Sequence, residues 1–154
     1  MWEQLGAIQF NLGTALAAAG RLEDAAIAYE DALVARPGWV VALDNLGTVR
    51  QLQGRVDDAE RAYRAALSVE PDNTSVLYNL GALLCATGAF AEAEARFRQA
   101  LAVAPGLARA VHGLGAALAG QGQDEQAVAA YQRTVALDPD LAESHRHLAV
   151  LLLG

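Results

Sequence analysis

Asn11-Leu12-Gly13, Asn45-Leu46-Gly47 and Asn79-Leu80-Gly81 are one triplet returning every 34 residues. Pro37, Pro71, Pro105 and Pro139 keep the same interval, and so do Gly20, Gly54, Gly88 and Gly122. A fixed period of this length marks an array of repeated structural units rather than an ordinary globular chain. Around the first triplet, Ile8, Leu12, Ala15, Leu16 and Ala19 fall at three-and-four spacing, which predicts an amphipathic helix over 6–19. Gly20 stands where a helix stops. Leu22 opens a second helix with Glu23 and Asp24 in its first turn, the favourable sign at the positive end of a helix dipole. Ala25, Tyr29, Ala32 and Leu33 mark its buried face, and it ends before Pro37, which cannot continue a helix. Each repeat is therefore expected to be a hairpin of two helices.

Four full repeats follow from the period, 6–39, 40–73, 74–107 and 108–141, with a half repeat at 142–154. No linker, low-complexity tract or change of composition interrupts them, so residues 1–154 are expected to form one array. Gly13, Gly47, Gly81 and Gly115 lie inside predicted helices, where glycine costs about 0.5–1 kcal/mol each relative to alanine. Close passage of the second helix, with Tyr29, Tyr63, Phe97 and Tyr131 filling the space beside each glycine, is the expected compensation.

The pattern of a large residue, Leu-Gly, Ala, an aromatic, Ala and Pro at set offsets resembles the tetratricopeptide repeat over residues 6–154. The resemblance implies an all-α fold: a right-handed α-solenoid of antiparallel helix hairpins whose first helices line a concave face. Arg50, in place of an apolar residue, Thr134, in place of alanine, and Gln9 and His145, in place of large apolar residues, depart from the family pattern.

On each first helix, the residues away from the packing face are Phe10, Asn11 and Thr14; Asp44, Asn45 and Thr48; Tyr78 and Asn79; Arg109 and His112; and Arg146 and His147. Ala7, Val41, Ser75, Ala82, Gly113, Ala116, Glu143 and Val150 share that face, with Gln51 and Cys85 at its margin. These are the candidate peptide-binding residues. An amide side chain is both donor and acceptor, so it can pair with a peptide backbone of any sequence. Helices pack about 8–10 Å apart and an extended chain advances about 3.3–3.6 Å per residue. A row of asparagines would then meet roughly every third residue of a bound strand. Asn11, Asn45 and Asn79 resemble the asparagine ladder in the repeat arm of O-linked N-acetylglucosamine transferases, which implies recognition of peptide backbone; Gly113 breaks the row in the fourth repeat. The family's carboxylate clamp is not matched, since Phe10, Thr14 and Ser75 stand where it needs charged or amide groups and only Asn45 fits.

Composition removes other functions. The net charge of −7, with all eleven basic residues arginine, argues against nucleic acid. No apolar stretch nears the roughly 18 residues of a membrane span. Met1-Trp2-Glu3-Gln4 lacks a signal-peptide pattern, so the default expectation is a soluble cytoplasmic chain. Cys85 is the single cysteine and has no neighbouring base to activate it. His112, Glu143, His145 and His147 do not form a closed metal-ligand set, because 145 and 147 point to different sides of a helix. No cofactor, metal or catalytic residue is expected. Three functional readings remain: a non-catalytic scaffold holding an extended peptide or a partner helix; a substrate-recruiting arm of a larger glycosyltransferase or sulfotransferase; and a self-assembly module docking through Leu148, Leu151 and Leu152, since solenoids normally close with a polar cap. Arg109, Arg146, His112 and His147 suit an acidic segment, because arginine pairs bidentately with carboxylates.

Overall fold

The computed structural model describes residues 1–153. It holds nine helices and no strand among the described residues: α1 Trp2–Ala18, α2 Leu22–Ala35, α3 Val40–Leu52, α4 Val56–Val69, α5 Thr74–Ala86, α6 Phe90–Val103, α7 Ala108–Gly120, α8 Asp124–Leu137 and α9 Ala142–Leu153. This is an all-α helical repeat of the solenoid class. The chain divides into two compact units, Met1–Val76 and Leu77–Gly154, each with its own core.

The hairpin turn is set by one backbone position. Gly20 has φ +75°, and Gly54, Gly88 and Gly122 repeat it at +74°, +82° and +73°. At the first turn the Gly20 N–H donates to Ala17 O at 3.0 Å and the Arg21 N–H to Leu16 O at 2.9 Å. That bond pair is the Schellman closure, which needs a left-handed residue just past the helix end. The second helices carry no side-chain cap at Arg21, Arg55, Ala89 or Gln123, and start with acids in the first turn. The dipole argument therefore stands in for a cap.

In unit 1, Ala25, Ala26, Tyr29 and Val49 form a buried cluster against Phe10, Leu16, Ala17, Leu22 and Leu46. In unit 2, Leu80, Leu84, Phe97, Val111, Leu118 and Tyr131 are buried. Tyr29, Tyr63, Phe97 and Tyr131 sit against the helix-internal glycines as the sequence implies: a Cβ on Gly13 would lie 2.8 Å from the Tyr29 ring, and one on Gly47 2.5 Å from that of Tyr63. The gap is filled by the ring, and the two helices approach more closely than any larger residue would permit.

Two expectations need correction. The first helix starts at Trp2, ahead of the predicted residue 6. Its predicted buried stripe is largely outside: Ile8 is 62% exposed and Leu12 47%. At the equivalent positions Ala42 and Ala110 are fully buried, because α2 packs on α3 and α6 on α7. No described helix covers that side of α1, so the same periodicity has nothing to bury against.

The departures from the family pattern have local explanations. Thr134 is fully buried and satisfies its hydroxyl by donating to Ala130 O at 3.0 Å, one turn back. Arg50 is buried where repeats three and four carry Leu84 and Leu118. Its guanidinium donates to Glu30 Oε1 at 2.6 Å and to Gln53 Oε1 at 3.0 Å, with Glu23 Oε1 at 3.5 Å. Burial pulls its pKa down, but Glu30 and Glu23 outweigh that and the net shift is upward. The side chain is a polar tie between α3 and α2 (its stem occupies the leucine's place).

Candidate partner-binding faces on the first helices

In unit 1 the face carries an aromatic stack and a polar relay. The rings of Phe10 and Trp39 stack with centroids 4.5 Å apart, and Phe10 tilts against Tyr29 at 5.8 Å. The Arg36 guanidinium lies over Trp39 at 5.4 Å, a cation–π contact. Gly6, Ala7, Ala35, Arg36 and Trp39 line a cavity of about 560 Å³ beside this stack. Trp39 was absent from the sequence reading. The available signal was a large aromatic directly ahead of α3, between a proline-glycine turn and the first helical residue.

The relay runs through Tyr29. Its hydroxyl donates to Thr14 Oγ1 at 3.2 Å and accepts from Asn45 Nδ2 at 3.4 Å. Thr14 in turn donates to Phe10 O at 3.0 Å. In the next hairpin the Tyr63 and Thr48 hydroxyls are 3.3 Å apart, Tyr63 donates to Gln51 Oε1 at 3.1 Å, and Thr48 donates to Asp44 O at 3.1 Å. Burial raises the Tyr63 pKa, with Thr48 opposing and Asp44 adding to it. Ser75 donates to Asp44 Oδ2 at 3.1 Å. Of the two asparagines on this face of unit 1, Asn11 is exposed, whereas Asn45 is half-buried and spends one amide N–H on the previous hairpin.

Unit 2 replaces this relay. In the third repeat Ala82 stands where Thr14 and Thr48 stand, and Phe97 where the tyrosines stand, so that hairpin has no such hydroxyl pair to satisfy. Gly113 occupies the asparagine position because the Phe97 ring covers it: a Cβ there would lie 2.4 Å from Cζ. Tyr78 tilts against Phe97 at 6.0 Å, and the exposed Arg109 guanidinium lies over the Tyr78 ring at 5.1 Å. Asn79 is half-buried. His112, Tyr131 and His147, one ring each from α7, α8 and α9, lie at centroid distances of 5.3, 5.3 and 5.4 Å. His112 Nδ1 is 2.7 Å from Ser144 Oγ, and its Nε2 is 3.9 Å from Glu143 Oε2. Ser144, fully buried, also escaped the sequence reading; its counterparts Ala42, Val76 and Ala110 are apolar and equally buried. His145 faces the other way, with Nε2 2.9 Å from Pro139 O. Arg146 is exposed.

These faces suit recognition better than bond chemistry. Cys85 is half-buried and burial pushes its thiol pKa up, away from thiolate. Tyr131 is pushed up to about 12, by burial first and by Cys85 second, so it stays a phenol. No group of three or more His, Cys, Asp or Glu is placed to hold a metal ion among the described residues. No described helix is long and apolar enough to cross a membrane. Leu152 and Leu153 are exposed at the end of α9, while Leu148 and Leu151 are half-buried.

A family model described as tetratricopeptide repeat matches residues 40–105 and again 72–140, and a second of the same description matches 6–38. None of the curated proteins matches the chain in sequence. Among solved structures, MamA (41-end) from Desulfovibrio magneticus RS-1 superposes with a TM-score of 0.90 at 24% identity, over 96% of this chain and 84% of that one. PilW, described as a type IV pilus biogenesis factor, gives 0.89 at 29% identity, over 97% and 70%. YrrB, described as a repeat protein with an unusual peptide-binding site, gives 0.80 at 22% identity, over 93% and 74%. At such identities MamA and YrrB share the fold alone.

Proposed function

The chain belongs to the tetratricopeptide repeat family, and from that premise we propose that it is a non-catalytic scaffold whose first-helix faces hold an extended segment of a partner protein. One observation carries the reading: in unit 1 a cavity of about 560 Å³, lined by Gly6, Ala7, Ala35, Arg36 and Trp39, lies against α1, the helix that also carries the exposed Asn11. An apolar pocket with a few polar groups at its edge is the usual form of a binding site. Trp39, Phe10 and Arg36 would anchor one side chain of the partner. Asn11, Thr14, Asp44, Asn45 and Thr48 would pair with its backbone, as the resemblance to asparagine-ladder repeats suggests. Asn45 keeps its Oδ1 and one N–H to offer, because its other N–H already serves Tyr29.

In unit 2, Tyr78, Asn79, Arg109, His112, Arg146 and His147 form the corresponding face. Arg109 and Arg146 have no carboxylate partner among the described residues, whereas Arg55 pairs with Asp58 in the first turn of α4, and Arg64 and Arg98 pair within their own helices. We assign an acidic stretch of the partner to this unit.

The test begins with peptides selected from a random library, measured against the native protein, Trp39→Ala and Asn11→Ala. The reading expects at least a tenfold loss with Trp39→Ala, about 1.4 kcal/mol, a smaller loss with Asn11→Ala, and amide protection on α1 and α3. Selected peptides that bind Trp39→Ala as tightly as the native protein would refute it.

A second reading, self-association, draws on the exposed apolar side chains Ile8, Leu12 and Leu152. It predicts dimers or larger species by sedimentation at high concentration and a monomer after Ile8→Glu; a monomeric native protein would sink it.

A further inference from the structure

A three-ring cluster in unit 2 ties α9 to α7 and α8, and histidine is the side chain whose charge ordinarily changes nearest neutral pH. His147 stacks on His112 at 5.3 Å with 26° between planes, and on Tyr131 at 5.4 Å. Ser144, fully buried on α9, has the His112 ring as its side-chain partner, at 2.7 Å. We propose that this cluster makes α9 a pH-responsive helix, docked on α7 and α8 while the half-buried His112 is neutral and released as it takes up a proton. The inference concerns the fold of unit 2 and holds whatever partner occupies the first-helix faces.

The charges around His112 only partly offset a proton on it. On α9, Glu143 is the carboxylate facing His112, at 3.9 Å and itself exposed; Arg146 adds a positive charge beside His147, and His145 turns away to Pro139 O. On α8 the neighbour is Tyr131, which stays neutral. On α7, Arg109 lies one turn before His112 and is held over Tyr78 of α5. Cys85 of α5 remains a thiol, and α6 contributes the uncharged Phe97 against Gly113. A protonated His112, stacked on the exposed His147 ring, would face one solvated carboxylate.

Burial, and then the charge of His147, lower the His112 pKa, with Glu143 only partly opposing. A histidine whose folded pKa is depressed binds its proton better when released. Its contribution to docking is therefore complete above about pH 6.5 and is lost as pH falls below that value. Each proton taken up only on release multiplies the undocked population about tenfold per pH unit. The loss levels off below the folded pKa.

Protection factors for α9 amides, measured by hydrogen exchange and normalised to intrinsic rates between pH 7.5 and 5, read this directly. They should fall at least tenfold in the native chain while those of α7 and α8 hold. His112→Gln with His147→Gln keeps an amide for Ser144 and removes both imidazoles, so α9 protection should then stay constant. A flat profile in the native chain, or an equal fall in the double variant, would overturn the proposal. Should the double variant lose α9 already at pH 7.5, His147→Gln alone decides. Removing the like-charged neighbour should raise the NMR titration midpoint of His112, and an unmoved midpoint overturns the idea.

Discussion

Arg50 offers a clean separation of packing from ion pairing. Its side chain is 7% exposed, while those of Glu30 and Glu23 are 50% and 64% exposed. Truncation to alanine therefore leaves no buried orphan charge, because both carboxylates return to water. Two losses remain. The Cγ and Cδ methylenes contribute about 0.8 kcal/mol each, roughly 1.6 kcal/mol of burial. The charge-assisted bonds, discounted for their solvated acceptors, add about 1 kcal/mol. Arg50→Ala should then destabilise by about 2–3 kcal/mol. Arg50→Leu gives up the bonds but restores the residue that repeats three and four carry there, and exchanging a buried polar tie for apolar packing is often neutral. It should stay within about 1 kcal/mol of the native chain. Urea titration followed by tryptophan fluorescence, with Trp39 directly ahead of α3, resolves the two. At an m-value near 2 kcal/mol/M the alanine variant shifts its midpoint down by about 1–1.5 M. A leucine variant as unstable as the alanine variant would refute the reasoning, since the pairing and not the stem would then hold α3 to α2.

Three further outcomes follow from the same contacts. Gly47→Ala puts a Cβ 2.5 Å from a Tyr63 ring that is 1% exposed; overpacking of about 1–3 kcal/mol exceeds the helix-propensity gain of about 0.5–1 kcal/mol, so urea unfolding should show a net loss, while Gly106→Ala, with nothing nearby, should show none. Phe97→Tyr buries a hydroxyl beside Ala82 and Gly113, which offer it no partner, and should cost about 1–3 kcal/mol in the same assay. Tyr131, raised to about 12, resists ionisation while folded; its contribution is intact below about pH 10 and is lost as pH rises toward 12, so tyrosinate absorbance should show one phenol titrating later than the rest, and at its ordinary value in Tyr131-containing peptides.

The hairpins were legible because their determinants are local and periodic. Gly20 and its three copies specify a turn by backbone conformation alone, and Gly47 with Tyr63 specifies close approach by size. Burial of α1 was misread for the opposite reason: Ile8 has the right spacing, but a periodic stripe carries no information about whether a neighbouring helix is present. The candidate faces were located but their internal bonding was not. The asparagines looked free for a ligand, yet Asn45 already donates to Tyr29. A single position in the repeat does not reveal that; the pairing of residues 14, 29 and 45, against 82, 97 and 113, does. Ser144 was invisible for the same reason, since a hydroxyl at an apolar position gains meaning only from the His112 ring across the interface.

That pairing also restricts how such an array can be rearranged. Tyr29 followed by Asn45 is a polar junction, whereas Phe97 followed by Gly113 is a tight apolar one. A helix like α3 transplanted behind α6 would drive its asparagine Cβ into a phenyl ring, and one like α7 placed behind α2 would leave the Tyr29 phenol with Thr14 alone. The repeats match in outline but not at their joints, so their order along the chain is constrained, and exchanging helices between the Tyr29 and Phe97 junctions would carry a penalty that a consensus sequence does not show.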